Sequence, residues 1–435
     1  MYGLSTCPIG IGSLPQTHIV HMANAFSHTS VHEYYGEQLR QPLVRPHSSN
    51  LKGVLDMAVP YYFHQISLSL AIILLMMIPA CASTSSSRET NQLDVGAWVT
   101  YWDFKRGMQS VNNSKGVYQD VFFFSTHFNQ QGRLELIDPT KNDYRSAIHQ
   151  ASLGGTRTWM TIVNDVVPLD AAIKPILKDP EIIHAMLQSP QIQTQHIQDM
   201  IRMAQDLGVT GIDLDYENLF PEDRQDFSTF LARLAQELRA QNLALAITVQ
   251  PKTREKFSQG AGAMDWTAIC RSTDRLQIML YNLHSQHTKP GPMATPEWIQ
   301  EVMNYAKTQC PRDKVVPILK VSGMLWSKGG VEGVQYDTAM ELKSRHNALD
   351  RRNPINLVPF FSYDGSSETG MVYYEDARSL SLKIHTLQTM GFDKLVLWSL
   401  GREDPALTPT LQELLSGSPS TLAPVKTGIP GSPER

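Results

Sequence analysis

The segment Gly211-Ile212-Asp213-Leu214-Asp215-Tyr216-Glu217 alternates acidic and apolar side chains with a period of two. Successive side chains on a β-strand point to opposite faces. The spacing therefore predicts a strand with Asp213, Asp215 and Glu217 on one face and Ile212, Leu214 and Tyr216 on the other. Carboxylates this close repel, so at least one is expected to have its pKa raised towards neutrality, as a general acid requires. The same pattern would also suit an acidic edge strand with one face in water. The flanking residues narrow the choice. Pro221-Glu222-Asp223 place proline and acids in a first helical turn, and Phe227, Phe230, Leu231, Leu234 and Leu238 then recur at helical spacing. Leu243 to Val249 is a continuous apolar run, as in parallel strands buried on both faces. Strand–helix–strand units of this size predict an α/β fold. Eight of them close into a (β/α)8 TIM barrel, whose functional groups sit at the C-terminal ends of the strands, where Glu217 lies.

These residues resemble glycoside hydrolase family 18, whose signature Asp-x-x-Asp-x-Asp-x-Glu ends the fourth barrel strand. Here Thr210 to Glu217 matches three of the four acids, with threonine in place of the first. Met279-Leu280-Tyr281-Asn282 is similar to the family's Met-x-Tyr-Asp on strand six, with asparagine for aspartate. Leu397-Trp398-Ser399-Leu400-Gly401 is similar to its strand eight. Lys289-Pro290-Gly291-Pro292 with Trp298, and Tyr374 to Ser379, look most like the bacterial branch that includes spore-cortex-lytic N-acetylglucosaminidases. The likeness runs in consistent order over residues 93–415.

The resemblance implies a retaining, substrate-assisted glycosidase that cleaves β-1,4 bonds next to N-acetylglucosamine in peptidoglycan or chitin-like glycans. Glu217 would protonate the glycosidic oxygen while the substrate's own acetamido oxygen attacks. Asp215 would hold the acetamido N–H, Asp213 would share a proton with Asp215 and tune its charge, and Tyr281 would hydrogen-bond the acetamido carbonyl. Trp398 would form an apolar floor under the sugar. Asn282, Met279 and Tyr101 would line the substrate, with Trp102 and Trp326 as weaker candidates for its walls. Thr210 and Asn282 depart from the pattern and imply retuned activity or, in the extreme, a catalytically inactive glycan-binding lipoprotein. No cofactor is implied, and no metal: the Asp213-Leu214-Asp215 pair lacks supporting ligands. A monomer is expected.

A net charge of −4 provides no basic field for nucleic acid, and 42% hydrophobic content over 435 residues is enough for one large core. Residues 66–78 form an uncharged apolar run, too short for the ~20 residues that cross a bilayer but suited to the core of a secretion signal. It ends at Ile78-Pro79-Ala80-Cys81, which resembles a bacterial lipobox with Cys81 as the lipidated residue. The expected organisation begins with an N-terminal extension at 1–56, mis-assigned or disordered, because secretion signals are N-terminal and Met57 reads as the true start. A signal at 57–81, a polar tether at 82–92, the barrel at 93–415 and a Pro/Gly/Ser-rich tail at 416–435 complete it. The domain is thus expected to be exported to the cell envelope and lipid-anchored to the membrane. Of the four cysteines, Cys270 and Cys310 precede strands six and seven, at the same rim of adjacent units, and could pair or remain free thiols.

The other strands are expected at 95–101, 121–125, 158–163, 276–281, 315–321 and 394–398. A helix over 180–207 should break at Ser189-Pro190. Between strands seven and eight, the pattern of residues 329–374 weakens into one helix and short β-like pieces. It predicts a small α+β insertion that walls one side of the cleft.

Overall fold

The computed structural model describes residues 93–416, apart from 115, 169, 171, 366 and 367. The N-terminal extension, the export signal with Cys81, the tether and the tail from 417 onward lie outside the described residues.

The strands, in chain order, are β1 (Asp94–Thr100), β2 (Asp120–Phe128), β3 (Leu134–Leu136), β4 (Arg157–Val166), β5 (Gly211–Asp215), β6 (Ala244–Val249), β7 (Arg275–Met279), β8 (Val315–Lys320), β9 (Gly323–Ser327), β10 (Gly330–Val334), β11 (Arg351–Arg352), β12 (Pro359–Asp364), β13 (Thr369–Tyr373) and β14 (Lys394–Trp398). The helices are α1 (Phe104–Asn113), α2 (Tyr144–Leu153), α3 (Pro180–Leu187), α4 (Pro190–Leu207), α5 (Arg224–Ala240), α6 (Trp266–Ser272), α7 (Pro296–Gln309), α8 (Tyr336–Arg345), α9 (Ala377–Thr389) and α10 (Leu407–Leu415).

Strands β1, β2, β4, β5, β6, β7, β8 and β14 pair in parallel, and β1 pairs with both β14 and β2, so the sheet closes into the expected eight-stranded barrel. β3 is an antiparallel addition to the end of β2. The helix boundaries follow local chemistry. Asp143, Asp179, Ser189, Asp265, Thr295 and Asp376 each accept a backbone N–H at the start of a helix. Ser189 caps α4 and Pro190 opens it, so the stretch expected to be interrupted there is two helices.

Alternation along each strand separates two cores. Outward side chains such as Ile212, Leu214 and Tyr216 pack against the helices, with Phe227, Phe230 and Leu231 of α5 among their neighbours. Inward side chains fill the barrel itself: Trp98, Phe122, Trp159, Met279, Val316, Ile318 and Val396. At the N-terminal end, Trp159 stacks on Phe122 with 5.3 Å between ring centroids and donates to Asp120 at 2.7 Å. Arg157 and Arg275 also bond Asp120. Burial opposes its charge, but the two guanidiniums outweigh burial and hold this carboxyl below the usual range. This end is sealed by ion pairs and aromatics, which leaves the C-terminal mouth for function.

Gly211 explains how the acidic strand approaches Trp159. A Cβ there would lie 2.5 Å from the Trp159 ring and 2.8 Å from the Ala244 carbonyl oxygen. Gly211→Ala is expected to lower the unfolding free energy by about 2 kcal/mol or more, read as a shifted denaturation midpoint, because neither neighbour can move without disturbing the barrel.

Two boundaries differ from the sequence expectation, and two elements are additional. Strand six ends at Met279, so Tyr281 stands two residues beyond it on the rim. The insertion begins at Gly323 rather than 329, because only Val321 and Ser322 separate β8 from β9, too short a gap to register as a change of pattern. Helix α1 and strand β3 were not foreseen; α1 rests on the core through the short stripe Phe104, Met108 and Val111. The insertion is a five-stranded sheet ordered β10-β9-β13-β12-β11. One face, with Leu325, Phe361, Tyr363 and Val372, packs with Ala339 of α8. On the other face lie Met324, which touches the cluster inside the barrel, and Trp326, whose ring meets Tyr373 edge-on. This second face turns towards the barrel mouth. Cys270 and Cys310 are disulfide-bonded in the structure, joining the end of α6 to the end of α7.

Candidate active site

Asp213 points into the barrel and is fully buried, so the acidic strand is a central strand rather than a solvated edge. Its neighbours answer every carboxylate oxygen. Thr161 of β4 donates to one oxygen at 3.0 Å, while Thr248 of β6 and Gln277 of β7 each donate to the other at 2.9 Å. Trp98 Nε1 of β1 in turn donates to Thr161 Oγ1 at 3.0 Å, which orients that hydroxyl. Burial, reinforced by the charge of Asp215, nevertheless pushes the Asp213 carboxyl up to about 7, and the three donors only moderate the rise.

Asp215, one layer higher, is 5% exposed. Burial and the nearby Glu217 charge raise its carboxyl, the Lys178 ammonium opposes them, and the balance stands at about 6. One oxygen, Oδ2, accepts from Lys178 Nζ at 3.0 Å. The other, Oδ1, is buried and has no partner among the described residues. No hydrogen bond joins Asp213 to Asp215 in this arrangement; the two influence each other through charge.

Glu217 lies just past the end of β5, with its side chain 21% exposed at the mouth. Asn164 at the end of β4 fixes its backbone from both sides, accepting the Glu217 N–H at 2.9 Å and donating to the Glu217 carbonyl at 2.9 Å. The carboxylate is held as well: Oε1 lies 3.0 Å from Lys178 Nζ, and Gln250 at the end of β6 donates to Oε2 at 3.1 Å.

Lys178 arrives from the segment before α3, with φ at +53°. Its own N–H donates to Asp165, and Asn164 also donates to the carbonyl of the next residue, Asp179, so one asparagine ties this segment to Glu217. Burial alone would lower the ammonium's pKa. Asp215, Glu217 and Asp165 together outweigh it and hold Lys178 above its usual range. Lys178→Met removes the cation that offsets the rise at Asp215. The acidic limb of a pH–rate profile that depends on ionised Asp215 is then expected to move upward by roughly one pH unit or more.

On the opposite wall, Tyr281 is buried apart from its rim, and among the described residues its hydroxyl bonds no protein group. Burial, then the charges of Asp215, Glu217 and Asp213, push its phenol well above the usual range, so it remains a neutral donor. Met279 lies below it in the barrel core. Asn282 is exposed, with φ at +67°, a conformation asparagine tolerates. Trp398 packs edge-on against Trp98, Phe124 and Trp102, at centroid distances of 5.6, 5.2 and 6.3 Å, and its peptide bond to Ser399 is cis. Tyr101 stacks on Phe124, and Trp102 stands half-exposed at the edge. The structure therefore gathers Asp213, Asp215, Glu217, Tyr281, Met279, Trp398 and Tyr101 around one mouth. Trp326 is buried in the insertion.

Sequence alone did not point to Lys178, Asn164, Gln250 or the polar cradle of Thr161, Thr248 and Gln277. Asn164 and Gln250 carry a usable signal as polar residues at the ends of barrel strands. Lys178 carries none, since it belongs to a connection without periodicity.

A parallel eight-stranded barrel with stacked carboxylates on strand four and an aromatic floor on strand eight defines a class of carbohydrate-processing folds. The chain belongs to the glycosyl hydrolases family 18, whose profile matches residues 178–403. Among similar proteins, the putative sporulation-specific glycosylase YdhD of Bacillus subtilis is 27% identical over 230 residues, 51% of this chain and 54% of that protein. The cortical fragment-lytic enzyme of Bacillus anthracis is 26% identical over 236 residues, again 54% of its length. The chain thus spans about half the length of these relatives. Among solved structures, the spore cortex-lytic enzyme SleL of Bacillus cereus superimposes with a TM-score of 0.64 at 22% identity, over 74% of each chain. A chitinase from Chromobacterium violaceum does so with a TM-score of 0.65 at 24% identity, over 74% of this chain and 99% of that one. These likenesses establish the fold.

Proposed function

We propose that the protein is a glycosidase that cleaves β-1,4 bonds next to N-acetylglucosamine in peptidoglycan or chitin-like glycans, with retention and with the substrate's acetamido group as nucleophile. The observation that carries this reading is the buried, unpartnered Oδ1 of Asp215. A buried acceptor without a donor is rare, and here it lies between Asp213 and Glu217 at a mouth lined by aromatic rings. An acetamido N–H supplies the missing donor. Tyr281, neutral and with its hydroxyl free, donates to the acetamido oxygen and holds it for attack on the anomeric carbon.

In this mechanism Glu217 gives its proton to the glycosidic oxygen as the bond to the anomeric carbon breaks. The acetamido oxygen closes an oxazolinium ring, and Asp215 offsets the positive charge as it develops. Water, deprotonated by Glu217, then opens the ring. Asp213, held in its cradle beneath Asp215, feels the Asp215 charge, which helps to keep its own proton in place. Lys178 bridges Asp215 Oδ2 and Glu217 Oε1, which leaves Asp215 Oδ1 for the acetamido N–H. Trp398 offers a flat apolar face to the sugar ring. Family membership and the cortex-lytic and chitinase relatives support this reading. Export through residues 57–81 and a lipid anchor at Cys81 belong to the same proposal and rest on the sequence pattern.

The test is release of reducing ends from peptidoglycan and from chitooligosaccharides, beside binding to both. Cleavage of either supports the reading and identifies the preferred polymer. Binding without cleavage would instead favour a lectin-like descendant, to which the exposed Asn282 and Thr210 would then point.

A further inference from the structure

Lys320 ends β8. Val316 and Ile318, four and two residues earlier, pack inside the barrel with Met279, Tyr281 and Trp398, and strand alternation carries the Lys320 side chain into the same channel at the mouth. In register it stands beside Trp398 on the neighbouring strand. Its Nζ lies 5.7 Å from the centroid of the Tyr281 ring. Among the described residues that ring is its partner, and no carboxylate, hydroxyl or carbonyl meets this ammonium. The other sequestered lysines differ. Lys178 bridges Asp215 and Glu217, Lys252 meets Glu255 and the Met264 carbonyl, and Lys383 is paired with Glu375. Burial without a counter-charge pushes the Lys320 ammonium down to about 8.

Lys320 is partly exposed at the mouth, and an ammonium shielded there without an anion is disfavoured, which a ring face compensates only in part. Here the cost is borne where the glycan would lie, between the sugar floor and the acetamido-holding tyrosine. A chitin chain is neutral and brings nothing to offset it. A glycan whose sugars carry a carboxylate, such as the lactyl ether of muramic-type residues, supplies the missing charge. We propose that Lys320 binds a carboxylate of the glycan seated against Trp398 and Tyr281, and so directs the site to anionic, muramic-type N-acetylated glycans over neutral chitin. This rests on the glycosidase reading of the same cleft.

The test measures binding by calorimetry in Glu217→Gln, so that cleavage does not intervene. The probes are neutral chitotetraose and an alternating N-acetylglucosamine–N-acetylmuramic acid tetrasaccharide with free lactyl carboxyls. The anionic tetrasaccharide is expected to bind at least tenfold more tightly. Adding Lys320→Gln should remove that advantage while leaving chitotetraose within about twofold, and Lys320→Arg should retain it. Equal affinity of the parent for both probes, or an equal loss for both with Lys320→Gln, overturns the proposal. Failure of the glycosidase reading registers separately, as intact sugars after incubation with the wild type.

Discussion

Glu217→Gln is expected to lower kcat/KM by a factor of roughly 10²–10⁴ while leaving oligosaccharide affinity within a few fold. The amide keeps the shape of the side chain and most of its surroundings. Asn164 grips the backbone of residue 217 rather than its carboxylate, and Gln250 Nε2 still finds an acceptor in the amide oxygen. What disappears is the proton for the leaving oxygen. The Lys178 ammonium also loses its bond to Glu217 Oε1 and retains Asp215 alone, which leaves the binding groove more open to a sugar. The measurement is paired: initial rates on the substrate that the wild type cleaves, and calorimetric affinity for the same substrate. Loss of both rate and affinity would make Glu217 a binding residue instead of the acid.

Asp213→Asn should change the pH dependence of stability even where activity is not assayed. The folded carboxyl, at about 7, lies above the ordinary value of about 3.9 for an unfolded chain. Folding is therefore linked to proton uptake. Its contribution is fully present below about pH 4 and is lost as the pH rises to about 7, because across that window the native state holds a proton that the unfolded chain has released. Three units amount to at most about 4 kcal/mol. Asparagine carries no such proton. Across that window the stability of the wild type relative to Asp213→Asn should fall by on the order of 2–4 kcal/mol, read from denaturation midpoints at several pH values. Parallel curves for the two proteins would mean that the cradle of Thr161, Thr248 and Gln277 keeps Asp213 ionised throughout.

Much of the site was legible before folding was considered, for a definite reason. A strand has a period of two, so three acids at alternate positions had to share a face, and the apolar residues between them had to find the opposite core. The flanking helix and the strand Ala244–Val249, apolar but for Thr248, then required burial on both sides. The motifs around Tyr281 and Trp398 followed in an order that a barrel brings to one mouth.

The chain's own periodicity thus determined the strand–helix alternation and the common face of Asp213 and Asp215, while the order of the motifs pointed to the barrel. Barrel closure decided what surrounds them. The donors to Asp213 come from positions 35, 52 and 64 residues away in sequence. Lys178 reaches Asp215 and Glu217 from a connection with no repeat to announce it, and Lys320 stands beside Trp398 only because β8 lies next to β14. Whether a buried charge is answered depends on which strands become neighbours, and local spacing carries no information about that. For this reason the carboxylates could be read from the sequence, whereas one lysine that neutralises them and another that remains unanswered became visible only in three dimensions.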